Sequence, residues 1–129
     1  MKNHRIMVID DEKIVCDMAK LSLSQEGYTV ETFVSPEKAL KRLQEEKFDV
    51  VVTDYRMTDI DGMEVLRTVK SNYPTTQVIM LTAFANLDNA LEALRREVHD
   101  FFPKPVKLTD LKASIRRALD KDAWVFRTC

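Results

Sequence analysis

Five apolar, strand-like runs alternate with five helical patterns along this chain, and four of the runs end on residues able to handle metal or phosphate. Arg5-Ile6-Met7-Val8-Ile9 runs into Asp10-Asp11, and Asp49-Val50-Val51-Val52-Thr53 runs into Asp54. Gln77-Val78-Ile79-Met80-Leu81 ends at Thr82, and Asp100-Phe101-Phe102-Pro103 ends at Lys104-Pro105. Alternating βα units joined by short links predict a parallel sheet with helices on both faces. Ligands of such sheets bind at the carboxyl ends of the strands, near the switch in strand order. If the strands lie parallel, three carboxylates, one hydroxyl and one ammonium converge on one rim, the inventory for a divalent cation and a phosphoryl group.

The runs at 5–10, 49–54 and 77–82 are continuously apolar, as central strands covered on both faces should be. Tyr28-Thr29-Val30-Glu31-Thr32-Phe33 alternates instead, which predicts an edge strand. Apolar stripes are expected at Val15, Met18, Ala19 and Leu23 on the first helix, and at Val65, Leu66 and Val69 on the third, which Gly62 opens. Leu87, Ala90, Leu91 and Leu94 mark the fourth helix, and Leu108, Leu111, Ile115 and Leu119 the fifth. Ser35-Pro36 supplies an N-cap and a first-turn proline for the second.

A chain of 129 residues fits one domain. A net charge of −1 and a pI near 6.1 give no global field toward nucleic acid or an anionic membrane. No apolar run approaches a membrane span and no signal peptide opens the chain, so a cytoplasmic home is expected. Cys16 and Cys129 make neither a disulfide framework nor a metal quartet. Only Gly27 and Gly62 occur, and neither lies in a glycine-rich phosphate loop, which argues against nucleotide folds that cradle phosphate on glycine backbone.

Taken singly, each rim residue has a plainer use: Asp-Asp as a helix cap, a lone Asp as a turn former, Thr82 as a cap, Lys104 as a solvated charge. Their joint order carries the chemistry. Crowded carboxylates resist ionising together unless a cation is present. Mg²⁺ resolves this with few protein carboxylates, keeping waters and phosphate oxygens as its other ligands. Asp54 ends the central strand and is the nucleophile candidate for an aspartyl phosphate. Lys104 would neutralise the transferring group, Thr82 would donate to a phosphoryl oxygen, and the small Ala83 leaves its N–H approachable.

With Val8-Ile9-Asp10-Asp11-Glu12, Asp54-Tyr55-Arg56-Met57 followed by Asp61-Gly62, Leu81-Thr82-Ala83, and Asp100-Phe101-Phe102-Pro103-Lys104-Pro105, the chain resembles the receiver domain of two-component response regulators over about residues 4–120. The resemblance implies a doubly wound five-stranded parallel sheet of order 2-1-3-4-5 flanked by five helices, a flavodoxin-like α/β fold. It implies a receiver domain at 1–121 and a C-terminal tail at 122–129, expected either to start a linker toward an output segment, to extend the last helix, or to pack on a dimer mate through Trp124-Val125-Phe126.

It further implies that Asp54 accepts a phosphoryl group from a sensor histidine kinase or histidine phosphotransfer protein. Asp11, Asp54 and the Arg56 backbone carbonyl would hold Mg²⁺, with Asp10 acting through a water, while Lys104 and Thr82 bind the phosphoryl oxygens. Thr82 would pair with an aromatic switch at Phe101, which lacks a hydroxyl and can report only by packing; plain core filling is an equal alternative. Ile14, Met18, Leu21, Pro105 and Val106 correspond to the kinase-docking surface. The fourth helix, fifth strand and fifth helix would carry the output and a homodimer contact, although their charges of both signs are better explained by a solvated face. No direct contact with nucleic acid or membrane is expected.

Several positions depart from the family pattern. Thr58 stands where proline is usual, Lys107 takes the common Ser/Asp cap position of the fifth helix, and Glu97-Val98-His99 replaces the usual Gly-Ala. The fourth helix therefore lacks its glycine C-cap. Arg56 and Phe84 flank the expected path of the attacking water, and the bulky Phe84 should slow hydrolysis. Two rival readings remain. A haloacid-dehalogenase-type phosphatase needs an acid two residues past the nucleophile, where this chain has Arg56. A receiver-like binding module without phosphorylation would not need the intact acidic set and Lys104.

Overall fold

The computed structural model describes residues 3–55, 61–83 and 86–120, except for the side chain of Leu87. Ten elements follow in strict alternation: β1 (Arg5–Ile9), α1 (Lys13–Ser24), β2 (Thr29–Phe33), α2 (Pro36–Leu43), β3 (Val50–Asp54), α3 (Gly62–Asn72), β4 (Gln77–Thr82), α4 (Leu87–Arg95), β5 (Asp100–Pro103) and α5 (Leu108–Leu119). The strands form one parallel sheet in the order β2-β1-β3-β4-β5, as the resemblance implies. The alternating strand β2 lies at an edge, and the continuously apolar β1, β3 and β4 lie inside.

Successive residues of a strand face opposite sides of the sheet, so each central strand feeds two cores. Met7, Ile9, Val51, Val78 and Met80 pack with Leu43, Leu66 and Val69 of α2 and α3. Ile6, Val8, Val50, Val52, Ile79 and Leu81 pack with Leu23 of α1 and with Leu111 and Ile115 of α5. The alternation explains why the inner strands read as unbroken apolar runs: neither face meets water.

Helix starts follow local chemistry. The Ser35 side chain accepts from the Lys38 N–H, with Pro36 in the first turn of α2. Asp61 caps α3 through the Glu64 N–H, and Asn86 caps α4 through the Asn89 N–H. At α5 the cap position is Lys107, whose side chain makes no capping bond.

The helix α4 ends in a Schellman arrangement: Val98 N–H donates to the Ala93 carbonyl (3.0 Å) and Glu97 N–H to that of Leu94 (3.0 Å). Glu97 takes the left-handed position usually given to glycine, at φ +66°. The missing glycine does not prevent the turn; a glutamate is forced into it.

Single positions of one expected stripe, and the leucines of another, point elsewhere. Met18 is 57% exposed, and Cys16, Ala19 and Leu23 carry the buried face of α1, with Val15 partly buried. On α4, Leu91 and Leu94 face solvent, Ala90 is partly covered, and Ala93 is the buried residue. On α1 an exposed apolar stripe of Ile14, Met18 and Leu21 lies beside the buried one, so spacing alone does not assign Met18.

Candidate phosphoacceptor site

Strand order sets the site. Placing β1 beside β3 brings Asp10, one residue past β1, next to Asp54, the last residue of β3. Asp54 pairs in register with Leu81, and Thr82 with Pro103, so the ends of β4 and β5 close the same rim. The Lys104 N–H donates to the Thr82 carbonyl (2.7 Å), and the Lys104–Pro105 peptide is cis. Lys104 Nζ then reaches back to Asp10 Oδ2 (2.7 Å), Asp54 Oδ2 (3.4 Å) and Glu12 Oε1 (3.9 Å).

The acidic residues differ in exposure. Asp10 is buried; its Oδ1 accepts the Glu12 N–H (2.9 Å) while Oδ2 takes Lys104. Asp54 is also buried, whereas Asp11 and Glu12 are exposed at the mouth. Burial holds the Asp54 carboxyl above the usual carboxylate range; Lys104 opposes this, and Asp10 and Asp11 reinforce it. For Lys104, burial favours the neutral amine but is outweighed by its bonds to Asp10 and Asp54, so its pKa rises. The ammonium is thus held charged beside a carboxylate costly to ionise.

Carboxylate oxygens of Asp10, Asp11 and Glu12 lie within 4.8 Å of one another. Four carboxyl groups, Asp10, Asp11, Glu12 and Asp54, face the single ammonium of Lys104, and hard oxygen donors are what Mg²⁺ prefers. The donor chemistry therefore fits a divalent cation. Thr82 is fully buried, and Ala83 after it is exposed. Phe101 is partly buried against the core, opposite Met80. Arg56, Thr58, Phe84 and the tail 122–129 lie outside the described residues, so their expected roles have no structural account.

The rim opens into a cavity of about 300 Å³ whose lining includes Asp54, Lys104, Met18, Pro105, Val106 and Leu108. Ile14, Met18 and Leu21 form an exposed stripe on α1. Of the five residues expected to dock a partner, Met18, Pro105 and Val106 line this cavity, and Ile14 and Leu21 share the exposed α1 stripe with Met18.

Three supporting residues were not singled out for these roles. Glu12 adds a carboxylate facing Lys104, and its place after Asp-Asp was the available signal. The Cys16 thiol donates to the Asp10 carbonyl (3.3 Å), steadying the turn that presents Asp10; burial raises its pKa, so it is a packed donor and no nucleophile. Gly62 packs directly on the Asp54 carbonyl, where a Cβ would collide with it and come within 2.8 Å of Tyr55 Cα. A glycine opening a helix just after an aspartate was visible in sequence, but not the contact that requires it.

Similarity to known proteins accords with this geometry. The response regulator receiver domain family matches residues 6–116. The chain is 34% identical over 119 residues to the DNA-binding transcriptional regulator NtrC of Proteus hauseri, covering 92% of this chain and 25% of that protein. It spans about a quarter of the length of the curated relatives it matches. A CheY-like receiver domain protein from Methanospirillum hungatei superposes with a TM-score of 0.89 at 30% identity, covering 93% of this chain and 96% of that one. The beryllofluoride-activated NtrC4 receiver domain dimer superposes at 0.86 with 30% identity, covering 91% and 97%. The fold, the converging strand ends and the sequence match agree, and the chain belongs to the response regulator receiver domain family.

Proposed function

We propose that this domain takes a phosphoryl group onto Asp54 from a phosphohistidine of a sensor histidine kinase or histidine phosphotransfer protein, in a Mg²⁺-dependent reaction. The observation carrying this reading is the Asp54 carboxylate, buried at a strand end within 3.4 Å of Lys104 and beside Asp10. An Asp54 oxygen attacks phosphorus; the bond from phosphorus to the donor imidazole breaks, and the imidazole leaves with the electron pair and is protonated. Lys104 turns from the carboxylates to the incoming oxygens, and the Thr82 hydroxyl and Ala83 N–H donate to them. Asp11, Asp54 and the Arg56 carbonyl would hold the cation, with Asp10 bound through a water. When bound, the cation supplies charge neutralisation on the transferring group.

The donor would dock on Ile14, Met18 and Leu21 of α1 with Pro105 and Val106, a face contiguous with the rim. The α4-β5-α5 surface would carry the response, with Thr82 and Phe101 as the switch. Self-association there is supported by the exposed Leu91 and Leu94 and by the dimeric state of the NtrC4 receiver domain. The chain modifies and releases its own phosphoryl group and turns over no external metabolite. A cytoplasmic location goes with that reading; among the described residues no helix is long and apolar enough to cross a membrane.

Incubation with Mg²⁺ and a small acyl phosphate, followed by intact-mass measurement, tests the proposal. The expected result is a labile gain of one phosphoryl group, lost with chelator and absent in Asp54→Asn. A gain that persists in Asp54→Asn, or no gain in the parent chain, overturns it.

A further inference from the structure

Tyr55 directly follows Asp54, yet its side chain leaves the rim. Its N–H donates to the Leu81 carbonyl (2.8 Å), and its own carbonyl accepts the Gly62 N–H (2.7 Å), so the backbone is held on both sides. The ring packs against the core shared with α2 and α3. Its hydroxyl donates to Asn89 Oδ1 at 3.2 Å. Asn89 lies in the first turn of α4, where its N–H is bound by the Asn86 cap (2.8 Å). One covalent step from the phosphoacceptor, a rigid side chain therefore grips the start of the helix proposed to carry the response.

The bond joins a helix that buries little among its described side chains. Leu91 and Leu94 face solvent, and Ala93, a single methyl, is the buried side chain of the described helix. Burying one alanine anchors a helix weakly beside α3, which buries Met63, Val65, Leu66 and Val69. The Tyr55 bond then adds a polar tie to what positions α4. The aromatic in β5 cannot form an equivalent bond, because Phe101 has no hydroxyl.

We infer that the Tyr55–Asn89 hydrogen bond is a latch coupling the backbone at Asp54 to the position of α4, and that this chain reports phosphorylation to α4 through Tyr55. The inference rests on the phosphoacceptor reading for its trigger, while the latch itself exists in the unmodified protein. Tyr55 and Asn89 act as positioning residues: neither hydroxyl nor amide needs to touch the phosphoryl group.

Amide hydrogen exchange on the full chain, with and without beryllofluoride and Mg²⁺, tests it, with the amides of α2 as internal reference. In Tyr55→Phe, exchange in α4 of the unmodified protein should quicken about fivefold, the effect of losing one hydrogen bond, with α2 unchanged. The change in α4 on adding beryllofluoride should shrink accordingly, while the mass gain with acyl phosphate persists. Asn89→Asp keeps an oxygen acceptor and should retain the parent's α4 exchange; Asn89→Leu should mimic Tyr55→Phe. Unchanged α4 exchange in Tyr55→Phe, an equal rise in α2, or identical behaviour of Asn89→Asp and Asn89→Leu overturns the latch. A parent chain that takes no phosphoryl group overturns the phosphoacceptor reading instead, since exchange in the unmodified variants still reads the latch.

Discussion

Lys104 and Asp10 stand 94 positions apart in sequence and 2.7 Å apart in space, and this contact is shorter than that of Lys104 with Asp54. The ammonium thus lies nearer Asp10 than Asp54 while staying within ion-pair reach of both. Lys104→Met removes the cation from two buried carboxylates. Labelling by acyl phosphate should slow about a hundredfold. Stability at low Mg²⁺ should fall by about 2 kcal/mol, and added Mg²⁺ should recover part of it. Denaturant titrations with and without the ion, together with labelling rates, check both.

Gly62→Ala tests the seat of Asp54. The added methyl would overlap the Asp54 carbonyl and crowd Tyr55 Cα, both backbone atoms with little room to yield. A loss of about 2 kcal/mol is expected, with slower labelling at Asp54. Parent-like stability and labelling would show that the turn relaxes freely.

Glu97→Gly should stabilise the domain. Glu97 holds φ +66° at the end of α4, a conformation that costs an L-residue about 1 kcal/mol and glycine almost nothing. Part of that gain is offset by the freer unfolded chain. A rise in thermal midpoint checks it, and Glu97→Val should move it the other way.

Glu31 supplies a pH-dependent increment far from the rim. Arg42 grips both its oxygens (2.9 and 3.1 Å) and Arg5 adds a third contact at 3.1 Å. The Arg42 bonds hold its carboxyl below the usual value of 4.5, against the opposing effect of burial. Because the folded pKa is depressed, this stabilisation is complete above 4.5 and is lost as pH falls through the folded value. Glu31→Gln should cost about 1 kcal/mol at neutral pH, and the difference should vanish in acid. A difference constant with pH would count against the pairing.

The strands were legible because their pattern is absolute: a run buried on both faces, such as Val50–Val52, has no other reading in a βα series. The rim was legible because strand ends in a parallel sheet share one side, so Asp10, Asp54, Thr82 and Lys104 had to meet. Met18, Leu91 and Leu94 were harder. The helix α1 carries Ile14, Met18 and Leu21 on one stripe and Cys16, Ala19 and Leu23 on another, and periodicity measures that a face is apolar without saying what it meets. The Gly62 contact and the Tyr55–Asn89 bond were invisible for a different reason: each joins backbone or side chains whose approach is set only once the sheet is built.

The strand crossovers carry a consequence for how this protein can be measured. Aspartates from the ends of β1 and β3, and a lysine beyond β5, meet only when the four strands β1, β3, β4 and β5 are in register. No fragment ending before Lys104 holds both Asp54 and Lys104, and a sheet without β4 or β5 would not bring them together. With Asp54 as the proposed acceptor, labelling by an acyl phosphate should count folded molecules. In a mixed population the labelled fraction should track the native fraction through a denaturation curve, giving a covalent, countable readout of folding for a chain whose one tryptophan, Trp124, lies in its tail.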